Sequence, residues 1–311
     1  MASSSSCRAW HCLLALFLLS SSAYGQLSPS FYAKTCPTLE LIVRSTVTKA
    51  VLVERRMGAS LLRLHFHDCF VQGSFVGEKS ALPNVNSVRG FEVIDEIKKN
   101  VELVCPGVVS CADIIALAAR DGVVLLGGPS WPVPLGQRDS TTATLNAANS
   151  DIPTPDYNLE QLISAFNKHQ LSPRDMTALS GAHTIGYSQC LNFRDHIYNG
   201  TNIDPAFAAL RKRTCPAQAP NGDTNLAPLD VQTTLVFDIA YYRNLVTKRG
   251  LLNSDQELFN GGSQDALVSQ YATNPALFPS DFVTAIIKMS KLSPPPGTPT
   301  QIRRNCRVVN S

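Results

Sequence analysis

The ten residues Leu61-Leu62-Arg63-Leu64-His65-Phe66-His67-Asp68-Cys69-Phe70 constrain this chain more than any other stretch. Leu61, Leu62, Leu64 and Phe66 mark a buried helix rather than a surface one. Arg63 and His67 stand four apart, so on a helix they share one face, one turn from each other. A cation and an imidazole aimed at the same small volume suit a reaction that needs a proton carrier beside a charge stabiliser. Asp68 and Cys69 sit away from that face, free to tie the helix end to something else. For an isolated Arg-x-x-x-His pair, a core histidine beside a salt-bridged arginine is the plainer reading.

The rest of the chain supplies helices for this one to pack against. Leu39 to Arg56 carries Leu39, Ile42, Val43, Thr46, Val47, Ala50 and Val51 at helical spacing, and Phe91 to Val104 carries Phe91, Ile94, Ile97 and Val101. Ser110 to Leu126 is apolar around much of its circumference, as a central buried helix would be. A helix from about Leu159 to His169 follows a long loop, and Ser172-Pro173 caps another that ends at Ser180-Gly181. Asp204 to Arg213, Thr234 to Arg249, Gln264 to Asn274 and Phe282 to Leu292 are further helical segments. Few stretches alternate with period two, and neither repeats nor a linker divide the chain. With 311 residues, 44% of them hydrophobic, one mostly helical unit is the expectation. A net charge of +3 without a basic run argues against nucleic acid as a partner.

Arg8, the apolar run Leu13 to Leu19 and the small-x-small Ala23-Tyr24-Gly25 have the form of a signal peptide, too short to span a membrane. Residues 1–25 are therefore expected to be removed, leaving 26–311 as a single domain. Secretion is the expected route, and the sequon Asn199-Gly200-Thr201 fits it. Of nine cysteines, Cys7 and Cys12 would leave with the leader. Seven would remain in an oxidising compartment, and seven is odd.

A second motif, Gly181-Ala182-His183-Thr184-Ile185-Gly186, surrounds a histidine with small residues, which would let a flat, bulky group approach the backbone. Together, RLHFHDCF and LSGAHTIG resemble the distal and proximal motifs of secreted plant (class III) haem peroxidases. VSCADIIALAARD, GGPSWPVPLGQRDS, NLAPLDVQTTLVFD, GLLNSDQELF and IRRNCRVVN resemble further family segments in family order. The resemblance implies an all-α fold of distal and proximal halves around a buried haem b. It also implies a monomeric enzyme that reduces hydrogen peroxide while oxidising small phenolic donors.

By the same resemblance, His67 is the distal base, Arg63 the charge stabiliser and Asn84 the residue that orients His67. Phe66 walls the haem edge, His183 ligates iron, and Asp255 accepts the other N–H of His183. Pro153 presents its carbonyl to aromatic donors. Thr184, Asp230, Thr233, Val236 (through its carbonyl) and Asp238 form a proximal calcium site of the hard oxygen donors that this ion prefers. Asp68, Val71, Gly73 and Glu78 remain for a distal one. The implied disulfides pair Cys36 with Cys105, Cys111 with Cys306 and Cys190 with Cys215, leaving Cys69 free.

The chain departs from the family after Val71-Gln72-Gly73. There it runs straight to Ser74-Phe75-Val76, short of a segment that carries a cysteine and two side-chain calcium ligands. A secreted peroxidase-like protein that turns over poorly is therefore a second expectation. A third, a binuclear metal-hydrolase site at His65-x-His67-Asp68, would need further histidines and a strand-end context.

Overall fold

The computed structural model describes residues 27–71, 87–141, 151–292 and 297–310. Expectations for the leader, and for Gly73, Glu78 and Asn84, fall outside these residues. Among the described residues helix is the dominant structure, with four strands of two or three residues each. In chain order the helices of the first half are α1 (Leu39–Val53), α2 (Met57–Val71), α3 (Phe91–Val104), α4 (Cys111–Leu125), α5 (Leu159–Lys168) and α6 (Pro173–Ser180). The second half contributes α7 (Arg194–Asn199), α8 (Pro205–Lys212), α9 (Ala240–Val246), α10 (Asn253–Gln256), α11 (Asp265–Thr273) and α12 (Leu277–Met289).

At the centre, α4 is buried on nearly every face, from Ile114 through Ala119 to Val123. Its first turn is capped twice. Ser110 Oγ accepts from Asp113 N, and the Asp139 carboxylate accepts from Cys111 N and Ala112 N, so the orphan donors of a buried helix start are met. Against it lie α1, through Val43, Val47 and Val51, and α2, through Leu61 and Leu64. The approach of α2 is close: a Cβ on Gly122 would stand 3.1 Å from the Cα and carbonyl oxygen of Gly58. Only two glycines facing each other permit that crossing.

Two capping boxes fix the next pair of helices. Asn158 and Gln161 exchange side-chain and backbone bonds at the start of α5, and Ser172 and Asp175 do so at α6, with Pro173 in its first turn. A smaller core of Phe193, Ile197, Phe207, Ala208, Leu251 and Leu252 sits beneath α7 and α8. The strands are β1 (Asp139–Ser140), β2 (Tyr187–Gln189), β3 (Leu226–Pro228) and β4 (Thr300–Gln301). β1 pairs antiparallel with β4, placing Asp139 opposite Gln301, and β2 pairs with β3, placing Tyr187 opposite Pro228. Three disulfides join Cys36 to Cys105, Cys111 to Cys306 and Cys190 to Cys215, the pairs the resemblance implies, and Cys69 is free and buried.

Two expected helices differ. The segment expected from Thr234 to Arg249 is helical only over Ala240–Val246. Upstream, Asp230 accepts from the backbone N–H groups of Gln232 and Thr233, and Asp238 accepts from that of Ala240. These bonds hold the chain in a loop. Conversely, α12 begins at Leu277 rather than Phe282. Pro279 falls in its first turn, where a missing N–H breaks no helical bond.

Candidate active site

α2 carries the distal residues. Arg63 donates from Nη1 to the carbonyl of Ser87 at 3.0 Å and to its hydroxyl at 2.7 Å. That anchors the guanidinium to the chain just past the undescribed segment. Burial lowers the Arg63 pKa to about 10, so the group stays charged at neutral pH. His67, one turn on, is buried, and its ring meets Phe66 edge to face with centres 5.7 Å apart. Phe66 is braced in turn by Phe70 at 4.2 Å and by Phe166 of α5 at 6.3 Å.

The other face of α2 has a different character. His65 Nε2 lies 2.9 Å from Ser290 Oγ, whose own proton goes to the carbonyl of Ile286. His65 must therefore donate from Nε2, which leaves its Nδ1 to accept from the Cys69 thiol at 3.6 Å. Burial pushes the His65 pKa down to about 4, and burial with the nearby Asp68 pushes the Cys69 thiol up, so both groups are neutral. Asp68 is held up at about 7 by burial first and by Asp139 second, with Arg303 opposing. These side chains line a cavity of about 50 Å³ together with Gln137, Asp139 and Arg303. His65 and His67 thus point to opposite sides of one helix. No group of three or more His, Cys, Asp or Glu among the described residues could hold a metal, which removes support for the hydrolase reading.

On the proximal side, His183 stands in a 3₁₀ turn, Gly181–Thr184, that continues directly from α6. Its Nδ1 is 2.7 Å from Asp255 Oδ1. A carboxylate only accepts, so Nδ1 carries a proton, which in the neutral imidazole leaves Nε2 as the nitrogen able to bind a metal. The histidine side chain is 38% exposed whereas Asp255 is 2% exposed, so the buried carboxylate aims an accessible ring. Asp255 is itself fixed by Tyr241, which donates to Oδ1 at 3.0 Å, and by Leu252 N, which donates to Oδ2 at 3.1 Å. The space beside Gly181 is used differently from the expectation. A Cβ there would fall 2.3 Å from the Tyr242 hydroxyl and the Phe278 ring, so the glycine admits the protein core, not a bound group.

Next to His183, Thr184 reaches a cluster of oxygens. Its Oγ1 is 3.2 Å from Asp238 Oδ1, and Thr233 Oγ1 is 2.9 Å from Asp230 Oδ2 and 3.1 Å from Asp238 Oδ1. Two carboxylates and two hydroxyls therefore converge, and Val236 lies on the same loop with its N–H bonded to the Thr233 carbonyl. Pro153 lies in a segment tied to α10: Ser254 N donates to the Pro155 carbonyl at 2.9 Å, and Asn253 Nδ2 to that of Asp156 at 3.0 Å. Val71 closes α2. Sequence reasoning missed Ser87, Tyr241 and Ser290, which hold Arg63, Asp255 and His65, because none belongs to a motif of its own.

The sequence profile of the peroxidase family matches residues 43–274. Peroxidase 70 of Zea mays is 60% identical over 299 residues, covering 93% of each chain. Peroxidase 4 of Vitis vinifera is 57% identical over 309 residues, covering 96% of each. Peroxidase P7 of Brassica rapa subsp. rapa is 55% identical over 296 residues, covering 92% of this chain and all of the relative. The distal pair on α2, the carboxylate-held histidine and these likenesses agree: the chain belongs to the peroxidase family, among its plant class III members.

Proposed function

We propose that His67, Arg63 and His183 carry the peroxidase reaction of this enzyme, a haem peroxidase that reduces hydrogen peroxide and oxidises phenolic donors one electron at a time. One observation carries the assignment: a buried carboxylate accepts from His183 Nδ1 and so turns Nε2 outward as the nitrogen a haem iron would take. Haem, when bound, supplies the iron at which the peroxide O–O bond is cleaved and from which oxidising equivalents pass to donors. His67 would take a proton from hydrogen peroxide and return it to the departing oxygen. Arg63 stays cationic and stabilises the negative charge that develops as that bond breaks. Phe66, packed against the His67 ring, would restrict bulky access to it, and Asn84 would orient that ring. Asp255 strengthens His183 as a donor. Pro153, on a segment pinned to α10, offers its carbonyl to the donor hydroxyl.

Calcium fits the Thr184, Asp230, Thr233, Val236 and Asp238 set, because close carboxylates sharing hydroxyl partners favour a hard cation between them. Its place beside His183 links the ion to the proximal ligand. The distal set of Asp68, Val71, Gly73 and Glu78 supplies too few side-chain oxygens for a second tight site. Residues 1–25 act as a secretory leader and residues 26–311 as the enzyme, working outside the cell as a monomer. No helix among the described residues is long and apolar enough to cross a membrane. The relatives above give no support to the slow-turnover alternative.

The decisive experiment is expression with haem and calcium, followed by an absorption spectrum and a guaiacol assay. A Soret band that shifts on adding peroxide and returns as guaiacol is oxidised is the expected result. A protein that holds haem without any response to peroxide would refute the distal assignment.

A further inference from the structure

Behind the proximal histidine the core holds an unbroken line of phenols. Tyr241 meets His183 edge to face with ring centres 6.2 Å apart, Tyr242 follows at 5.0 Å and Tyr271 at 4.8 Å. All three are buried, at 1% exposure or less. Phenylalanine would fill the same volume, as Phe278 and Phe282 do in the adjoining layer. The hydroxyls set the tyrosines apart. Tyr241 donates to Asp255 Oδ1 at 3.0 Å and Tyr271 to Asp281 Oδ2 at 2.5 Å, whereas Tyr242 donates to the carbonyl of Thr177 at 2.9 Å.

A buried phenol loses an electron readily only if its proton has a base to go to, since a phenol cation in a low-dielectric interior is costly. A carboxylate is such a base and a peptide carbonyl is not. The first and last tyrosines are therefore equipped for oxidation, and the middle one serves as a π contact between them. At the far end, Asp281 pairs with Arg174 at 2.7 Å, and the Arg174 side chain is 53% exposed. The line thus begins at His183 and ends beneath the surface.

We propose that Tyr241, Tyr242 and Tyr271 form a one-electron relay that gives the oxidised enzyme a second way to be reduced when no donor occupies the haem edge. The inference rests on His183 as the haem ligand. The oxidant is the peroxide-oxidised haem that turnover itself supplies. Tyr241 gives it one electron, and the phenolic proton passes along the hydrogen bond to Asp255, leaving a neutral tyrosyl radical. Tyr271 then gives one electron to that radical through the Tyr242 ring, and its own proton passes to Asp281. Tyr241 recovers its proton from Asp255. The net change is one electron delivered to the haem, a neutral radical at Tyr271 and a proton on Asp281.

The test is freeze-quench electron paramagnetic resonance on the haem-loaded protein, mixed with one equivalent of peroxide and no donor. Ring-deuterated tyrosine identifies the radical. A tyrosyl signal that narrows on deuteration is expected, lost in Tyr241→Phe. In Tyr271→Phe it should be replaced by a signal with the faster relaxation of a radical nearer iron. Tyr271→Phe lies away from the haem and should keep the parent spectrum and guaiacol turnover, so its effect on the radical is not one of folding. A tyrosyl signal unchanged in both variants, or none in a protein with an intact Soret band, would overturn the relay. A parent protein that fails to hold haem through His183 would overturn the ligand assignment itself and the relay with it.

Discussion

At the scale of single residues, the two sides of α2 do opposite work. On one side stand Arg63 and His67, the groups proposed to meet charge and move protons. His67→Ala should slow the peroxide-induced spectral change by about 10²–10⁴-fold, the usual share of general acid–base catalysis, while haem stays bound. Stopped-flow absorbance measures it, and a parent-like rate would show that His67 is not the base. His183→Ala should instead shed haem on gel filtration. On the opposite side, His65 is held neutral, its pKa lowered by burial to about 4 from an ordinary 6.5. The unfolded chain binds the proton first as pH falls, so the contribution of His65 is fully present above 6.5 and is lost progressively down to about 4. Roughly 3 kcal/mol is at stake across that window. Urea denaturation of the parent should therefore lose stability more steeply between pH 6.5 and 4 than that of His65→Gln. Parallel slopes would mean that the His65 environment is not what opposes its charge.

Among the elements, the loop between β3 and α9 bears the residues proposed to hold calcium and lies beside His183, the proposed haem ligand. Asp230 is fully buried, and one of its oxygens already accepts from Gln232 N, Thr233 N and Asn244 Nδ2. Its second oxygen meets Thr233 and Thr184. An anion so placed favours a cation, and Thr184 adjoins His183 in the same 3₁₀ turn. One tightly held calcium per haem is therefore expected after dialysis, not two. Asp230→Asn should lose that ion and alter the haem spectrum together. Two tight ions by metal analysis, or calcium loss without spectral change, would count against this coupling. The same loop shows what sequence reading reaches. α4 was legible because its apolar residues leave no polar face. The segment before α9 was not, since Leu235, Ile239, Tyr242 and Val246 keep a helical spacing while two aspartates hold the backbone ahead of α9 in another shape. In the candidate site, the meeting of His183 with Asp255 was legible through the resemblance. Tyr241 and Ser87 were not, because each meets its partner across 14 or 24 residues of chain that no local pattern encodes.

For the whole molecule, covalent closure and packing divide the task of holding the halves together. Cys111–Cys306 spans 195 residues and fastens the start of α4 to the C-terminal segment, Cys36–Cys105 spans 69 and Cys190–Cys215 spans 25. Loop-closure entropy assigns the longest about 5 kcal/mol and the shortest about 3.5 kcal/mol, so losing Cys111–Cys306 should cost the most stability. Cys69 takes no part. The residue is buried, burial and Asp68 keep its thiol protonated, and His65 Nδ1 accepts its hydrogen bond. A thiol that is neither accessible nor ionised is a poor nucleophile, so Cys69 should resist alkylation in the native protein. Once the unreduced chain is denatured, it should be the one cysteine of the mature chain to take the label. Peptide mass analysis before and after denaturation reads both states. Rapid labelling of Cys69 in the native state would show that the end of α2 opens far more often than this packing permits. Label on any other mature cysteine after denaturation would mean that one of the three bridges is paired differently.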